Sequence, residues 1–244
     1  MSTSPAAPAP TPVIFRPPSY VERVDTAGLF PSAQPLEVEL GSGDGSFLIR
    51  WAELNPGTNF LGVERLLGRL KKIEKKARRF GLTNVRGLRL EATYLTEFLL
   101  PHDAIRAIHI YFPDPWPKRK HRGNRLINER FTEILRATLE PGGIVYLRTD
   151  DTDYFEQMTR AFGANPNFAA TETPPALAAV TTDFERGFNA QGIPRTARPT
   201  GGPAERKTGG RSPRLDSTIA GDPPPKCPSN RVKPARAGSR GKTA

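Results

Sequence analysis

The chain has 244 residues, with 36 Lys/Arg against 25 Asp/Glu and a formal net charge of +11. That length holds one α/β domain with a full core plus some additional chain, and the positive excess points to a polyanionic partner. The single cysteine, Cys227, excludes an internal disulfide framework and a cysteine-based zinc site, and the histidines (102, 109, 121) lack metal-ligand spacing, so no metal is expected. No apolar run reaches the roughly 18 residues that a membrane span needs.

Residues 1–12, "MSTSPAAPAPTP", are Pro/Ala/Ser-rich and predict a disordered segment without the basic start and apolar stretch of a signal peptide. A soluble, cytoplasmic protein is expected. Residues 13–35 mix Phe15, Tyr20, Val21, Leu29 and Phe30 with prolines, a loosely ordered lead-in. Regular patterning then begins. Strands are expected at 36–40, 60–64, 85–92, 107–112 and 143–150, each short, rich in β-branched or aromatic residues and mostly bounded by Gly, Pro or Asn.

Helical segments separate them. Over 65–81, Leu66, Leu70, Ile73, Ala77 and Phe80 recur at helical spacing, while Arg65, Arg69, Lys72, Lys76 and Arg79 follow the same period on another face. Over 124–143, Leu126, Phe131, Ile134, Leu135 and Leu139 are expected to face inward, with Pro141-Gly142-Gly143 as the stop. Residues 151–163 supply a further helix. After Pro194 large apolar residues become scarce, and the segment 195–244 carries +9 of the total charge, leaving only +2 for the rest. Such a composition cannot offset its ordering entropy and predicts a disordered tail. The domain is therefore placed at 13–194, as an α/β fold with a doubly wound, mostly parallel sheet.

"LEVELGSGDGSFL" sets a Gly-rich turn directly after the first of these strands. Gly41 and Gly43 let a ligand approach the backbone closely, and Glu64 stands 21 residues beyond Gly43, where an acid grips a ribose diol. A dinucleotide fingerprint wants glycine at position 46, where this chain has Ser. Glu39, two residues before Gly41, fits poorly beside a pyrophosphate and better beside a cationic ligand such as S-adenosylmethionine. Spacing thus favours a methyltransferase over a nicotinamide-dependent enzyme, with a purely structural Gly turn as the third option. Glu91, at the end of the third of these strands, is either an acceptor for the adenine amino group or a solvated acid.

"YFPDPWPK" follows the strand at 107–112. Pro113 and Pro115 restrict the backbone around Asp114, which holds its carboxylate in place. Trp116 offers a stacking face for a base, and Lys118, Arg119, Lys120, Arg122 and Arg125 are candidate phosphate contacts. The plain alternative is a rigid surface loop beside a solvated charge run. The basic helix face (Arg69, Lys72, Lys76, Arg79) is equally open between RNA docking and solvation.

"ELGSGDG", "FLGVER", "YFPDPWPKRKHRGNRL", "LRTD" and "TDFERGFNAQG" occur in this order and together resemble the bacterial tRNA (guanine-N7-)-methyltransferase family over residues 36–193. The resemblance implies a class I, Rossmann-like methyltransferase fold that uses S-adenosylmethionine to methylate a guanine in the tRNA variable loop, position 46 in tRNA convention. It implies donor binding by Glu39, Glu64, Glu91 and Asp114, beside the turn at Gly41 and Gly43, with Asp114 also catalytic. Lys118, Asp150, Thr182, Asp183, Phe184 and Glu185 match substrate-contacting positions, with Glu185 and Asp150 adding to an acidic pocket around the base edge. Two departures stand out: the family usually has Asp or Asn where Glu91 stands, and its closing strand is replaced after Ile193 by "PRTARPTGGPAERK". Competing readings are another S-adenosylmethionine-dependent base methyltransferase acting on an exocyclic amine, disfavoured by the absence of adjacent prolines after Asp114, and a non-catalytic RNA-binding module that kept the fold.

Overall fold

The computed structural model describes residues 12–183, 185–186 and 204–206. Segment 1–11 and most of the tail expected from 195 lie outside them. Among the described residues, eight strands form one sheet: β1 (Ile14–Phe15), β2 (Leu36–Leu40), β3 (Asn59–Val63), β4 (Val85–Leu88), β5 (Ile105–Tyr111), β6 (Leu139–Arg148), β7 (Phe168–Ala170) and β8 (Ala204–Arg206). Their spatial order is β1-β4-β3-β2-β5-β6-β8-β7. The six strands from β1 to β6 pair in parallel, and β8 runs antiparallel between β6 and β7.

Helices α1 (Ser46–Leu54), α2 (Leu67–Arg79), α3 (Ala92–Tyr94, continued by a π turn at Leu95–Leu99), α4 (Glu129–Thr138), α5 (Thr152–Ala164) and α6 (Pro175–Ala179) accompany the strands. Because parallel strands need crossovers, helices cover both faces, and β2 and β3 are buried along their whole length. One core packs Val38, Ile108, Ile110, Phe131, Leu135 and Tyr154; a second packs Leu48, Phe60, Leu70, Ile73 and Ala77 beneath α1 and α2. From β2 the chain steps to β3 and β4 on one side, then returns to β5 and β6 on the other. That reversal opens a crevice at the carboxyl ends of β2 and β5, where ligands of such sheets bind.

The five expected strands are present, 36–40 with the expected ends and the other four with shifted ones, and several details differ. Leu66 and Phe80 fall outside α2 and are about half exposed, so the buried stripe reduces to Leu70, Ile73 and Ala77. Pro141-Gly142-Gly143 lies within β6 rather than ending a helix. Ile105 pairs with Leu139 but Ala107 with Ile144, and the intervening bulge uses the positive φ of Gly142. The lead-in is more ordered than its composition implied: β1 pairs with β4, and Val13, Val24, Leu29 and Phe30 are buried.

The domain boundary drawn after 194 is also revised. Ala204–Arg206 enters the sheet as β8, giving the closing strand that the sequence after Ile193 did not reveal. Only Ala204 supplies an apolar contact there; backbone pairing on both sides and the buried Arg206, ion-paired to Asp103 at 2.5 Å, hold the rest. Among the described residues, no helix is long and apolar enough to cross a membrane.

Candidate active site

The carboxyl end of β2 delivers Glu39 into the crevice floor. Glu39 is buried, its Oε2 has no hydrogen-bond partner, and desolvation pushes its carboxyl up to about 8, with Ser42 and Arg148 opposing the rise and Asp44 and Glu64 adding to it. A buried acceptor without a donor is costly unless a ligand completes it. The turn beyond it is built for close approach. Gly41 (φ 80°) and Gly43 (φ 56°) adopt left-handed backbone, and a Cβ on either would project into open space rather than into protein. Both glycines line, with Glu39, a cavity of about 360 Å³. An orphaned acid beside an open glycine cradle fits the ammonium end of S-adenosylmethionine.

Glu64, just after β3, is buried and accepts from Gly43 N (3.1 Å) and Leu66 N (2.8 Å), with the Arg69 guanidinium 3.9 Å away. Each carboxylate oxygen keeps a further lone pair, so the group can still accept from two ribose hydroxyls. Asp44 in the same turn is locked by Lys76, whose Nζ lies 2.7 Å from Asp44 Oδ2 and 2.8 Å from Ser46 Oγ. Lys76 is thus an anchor for the glycine turn, not part of a free basic face as its spacing suggested.

A neighbouring cleft of about 500 Å³ brings Glu64, Glu91 and Asp114 together with Trp116 and Arg69. Asp114 sits exposed on the rim, its Oδ1 accepting from Trp116 N at 3.0 Å. Phe112 (φ 50°) and Trp116 (φ 42°) both take positive φ, an uncommon state for such side chains, so the Pro-Asp-Pro turn is bracketed by two strained residues. What holds it is Arg125. Its Nε donates to Pro115 O (2.7 Å), Nη1 to Gln157 (2.8 Å) and Nη2 to Asp153 (2.6 Å), and its guanidinium lies 4.8 Å from the Tyr154 ring centroid. Arg125 is buried and cannot be the phosphate contact expected from its place in the basic stretch. Lys118, Arg119, Lys120 and Arg122 are exposed, and Arg122 pairs with Asp153 at 3.1 Å.

Two expected site residues are placed differently from their anticipated roles. Glu91 caps α3: its two oxygens accept from Thr93 N (3.0 Å) and Tyr94 N (2.7 Å), leaving it on the cleft rim with structural bonds already made. Glu185 does not open onto a base pocket. It is buried and bonded to Arg148 (3.1 Å), and with Thr182 it forms a reciprocal capping box, Thr182 N to Glu185 Oε2 (2.7 Å) and Glu185 N to Thr182 Oγ1 (3.1 Å). The T-x-x-E spacing carried this signal. Thr182 and Asp183 do line the glycine-turn cavity, Asp150 is half-buried just after β6, and Phe184 lies outside the described residues.

Two further residues belong to the site. Tyr111, ending β5, lines both cavities; its hydroxyl bonds His109 Nδ1 (2.8 Å), and His109 Nε2 bonds Glu37 Oε2 (2.9 Å), all buried. Arg148 lies 4.5 Å over the Tyr111 ring and donates to Val180 O and Leu177 O, tying the α6 segment to the crevice. Nothing in a strand's alternation distinguishes these polar residues from core positions.

Strand order, switch-point crevice and acids at successive strand ends define a class I methyltransferase. The 16S rRNA methyltransferase KamB superposes with a TM-score of 0.51 at 17% identity, covering 75% of this chain and 93% of that one, a likeness of fold alone. The methyltransferase family model described as "Putative methyltransferase" (Methyltransf_4) matches residues 33–196. The tRNA (guanine-N(7)-)-methyltransferase of Geobacter metallireducens is 38% identical over 144 residues, 59% of this chain and 68% of that protein. That of Halorhodospira halophila is 35% identical over 168 residues, 67% and 73% respectively. The chain belongs to the tRNA (guanine-N7-)-methyltransferase family.

Proposed function

We propose that this protein transfers a methyl group from S-adenosylmethionine to N7 of a guanine in tRNA, and that the target is the variable-loop guanine at position 46. The observation that carries this reading is the buried Glu39 carboxyl, whose Oε2 has no hydrogen-bond partner, in a cavity that shares Gly41, Arg69, Tyr111 and Phe112 with the cleft of the rigid Asp114 turn. Bound there, S-adenosylmethionine supplies an electrophilic methyl. Guanine N7 bears a lone pair and no proton, so the site requires alignment rather than a strong general base.

Each residue then has a defined task. Glu39 receives the donor's ammonium, Gly41 and Gly43 allow its close approach, and Glu64 accepts from the ribose diol. Asp114 accepts from the guanine N1–H and exocyclic amine, orienting the base and offsetting positive charge on the ring. Trp116 provides a stacking face, and Lys118 with its basic neighbours holds phosphates. Asp150, Thr182 and Asp183 border the entrance from the β6 side. Glu91 shapes the adenine end as a helix cap.

The test is transfer of labelled methyl to tRNA, with nucleoside mass spectrometry to identify N7-methylguanosine. Asp114→Asn and Asp114→Ala are expected to lower the turnover by about 10²–10³-fold, the usual cost of removing one charge-stabilising group. Wild-type rates in both variants, with folding intact, would remove Asp114 from the mechanism. Borohydride and aniline cleavage at a position other than the variable-loop guanine would correct the target site.

A further inference from the structure

A second, larger cleft of about 1220 Å³ lies against β4 and the lead-in segment and meets the active-site crevice at Glu91, which lines both. We infer that this cleft is a docking groove for the phosphodiester backbone of the tRNA, an inference that rests on the function proposed above. The topology explains its charge. Because β1 runs parallel to β4, the chain leaves β1 at the same carboxyl edge that carries the active site. Three strands each place an arginine shortly beyond that edge: Arg16 after β1, Arg65 after β3 and Arg89 after β4, and α2 adds Lys71.

None of these four cations has an ion-pair partner among the described residues. The two acids on the cleft wall are engaged elsewhere, Glu74 with Arg78 at 3.0 Å and Glu91 with the α3 backbone. Arg89 Nε donates to Arg65 O at 3.1 Å, which fixes the two strand ends side by side. Unneutralised cations in a concavity focus the field on a polyanion.

Aromatic surface accompanies the charge. Tyr20 is 50% exposed on the cleft wall, and its carbonyl is held by the Tyr94 hydroxyl at 2.7 Å. Tyr94 in turn packs against the half-exposed Phe98, ring centroids 5.1 Å apart. Stacking faces between cations are the pattern that binds unpaired nucleotides. Continuity with the crevice selects RNA over an acidic peptide: a strand whose one base enters beside Asp114 must leave along a flank, and this flank is grooved, basic and joined to the site.

The experiment uses the full chain with Arg16, Arg65 and Arg89 changed to Gln together, an Arg→Lys triple, and Arg160→Gln on the exposed face of α5 as control. tRNA affinity is measured across a salt titration, with S-adenosylmethionine binding and thermal unfolding as checks on the fold. The Gln triple is expected to weaken tRNA binding by about tenfold or more and to flatten the log–log salt slope by about 2–3, since each phosphate contact contributes roughly 0.7–0.9. KM for tRNA rises while the cofactor affinity stays at the wild-type value, and both the Lys triple and the control retain the wild-type slope. An unchanged slope in a Gln triple that folds, beside a wild type that methylates tRNA, overturns the groove and leaves the proposed function standing. A wild type that neither binds nor methylates tRNA overturns both.

Discussion

Replacing Glu39 by Gln probes the crevice floor directly. Burial lifts the Glu39 carboxyl from 4.5 to about 8. The folded protein therefore keeps a proton that the unfolded chain releases as soon as pH passes 4.5. Stability is full below that pH, falls as pH rises toward 8, and is level above it. At about 1.4 kcal/mol per pKa unit the loss approaches about 5 kcal/mol. A neutral amide escapes it, so Glu39→Gln should melt roughly 10 °C above wild type at pH 8 and close to it at pH 5. The same substitution removes the partner of the donor's ammonium and should weaken S-adenosylmethionine binding by about tenfold or more. Binding to wild type near neutral pH should also release about one proton, because the ammonium favours the ionised carboxylate; calorimetry in buffers of different ionisation enthalpy reads this. Melting curves of the two proteins that coincide at every pH would refute the buried-acid argument.

Arg125→Met removes the hub that joins Pro115 O to Gln157 and Asp153; it should destabilise the protein by about 2–3 kcal/mol in urea titration and lower the turnover by loosening the Asp114 turn. Lys76→Met strips Asp44 of its ammonium. Although burial pushes Asp44 up, hydrogen bonds with Asp183, Lys76 and Ser46 and the Lys76 charge hold it well below the usual carboxylate range. That stabilisation exists above the ordinary Asp pKa and is lost as pH falls, so the variant's acid-unfolding midpoint should move to higher pH. Gly62→Ala places a Cβ 2.5 Å from Leu48 Cδ2 and 2.8 Å from Ser42 Oγ, and overpacking under the glycine turn should cost about 1–3 kcal/mol, measured by denaturant unfolding.

The parallel sheet was legible because its strands are short segments rich in β-branched or aromatic residues and mostly bounded by Gly, Pro or Asn, and because α2 and α4 keep a helical period. β8 was not legible, since Ala-Glu-Arg carries no alternation and owes its place to neighbours on both sides. The bulge in β6 was misread as a helix stop because Pro-Gly-Gly serves either purpose. Within the site, the places of Glu39, Glu64 and Asp114 at or just beyond strand ends were legible from the motifs that contain them. The partners of Lys76, Arg125 and Glu185 did not, because a residue's spacing tells which face it shares but not which acid or carbonyl reaches it across the fold.

That distinction matters for reading the basic stretch after Asp114. Cations of one segment divide between two kinds of work. Arg125 is spent on holding the turn: three of its nitrogens bond protein groups, and its burial leaves nothing for a phosphate. Lys118, Arg119 and Lys120 remain exposed at the entrance. The strained φ values at Phe112 and Trp116 cost of order 1–3 kcal/mol each, a cost that the bonds to Arg125 can offset. Orientation of the Asp114 turn thus depends on a residue that need never touch RNA. Neutralising the exposed cations should therefore shift affinity and its salt dependence, whereas neutralising Arg125 should shift turnover with little change in that slope.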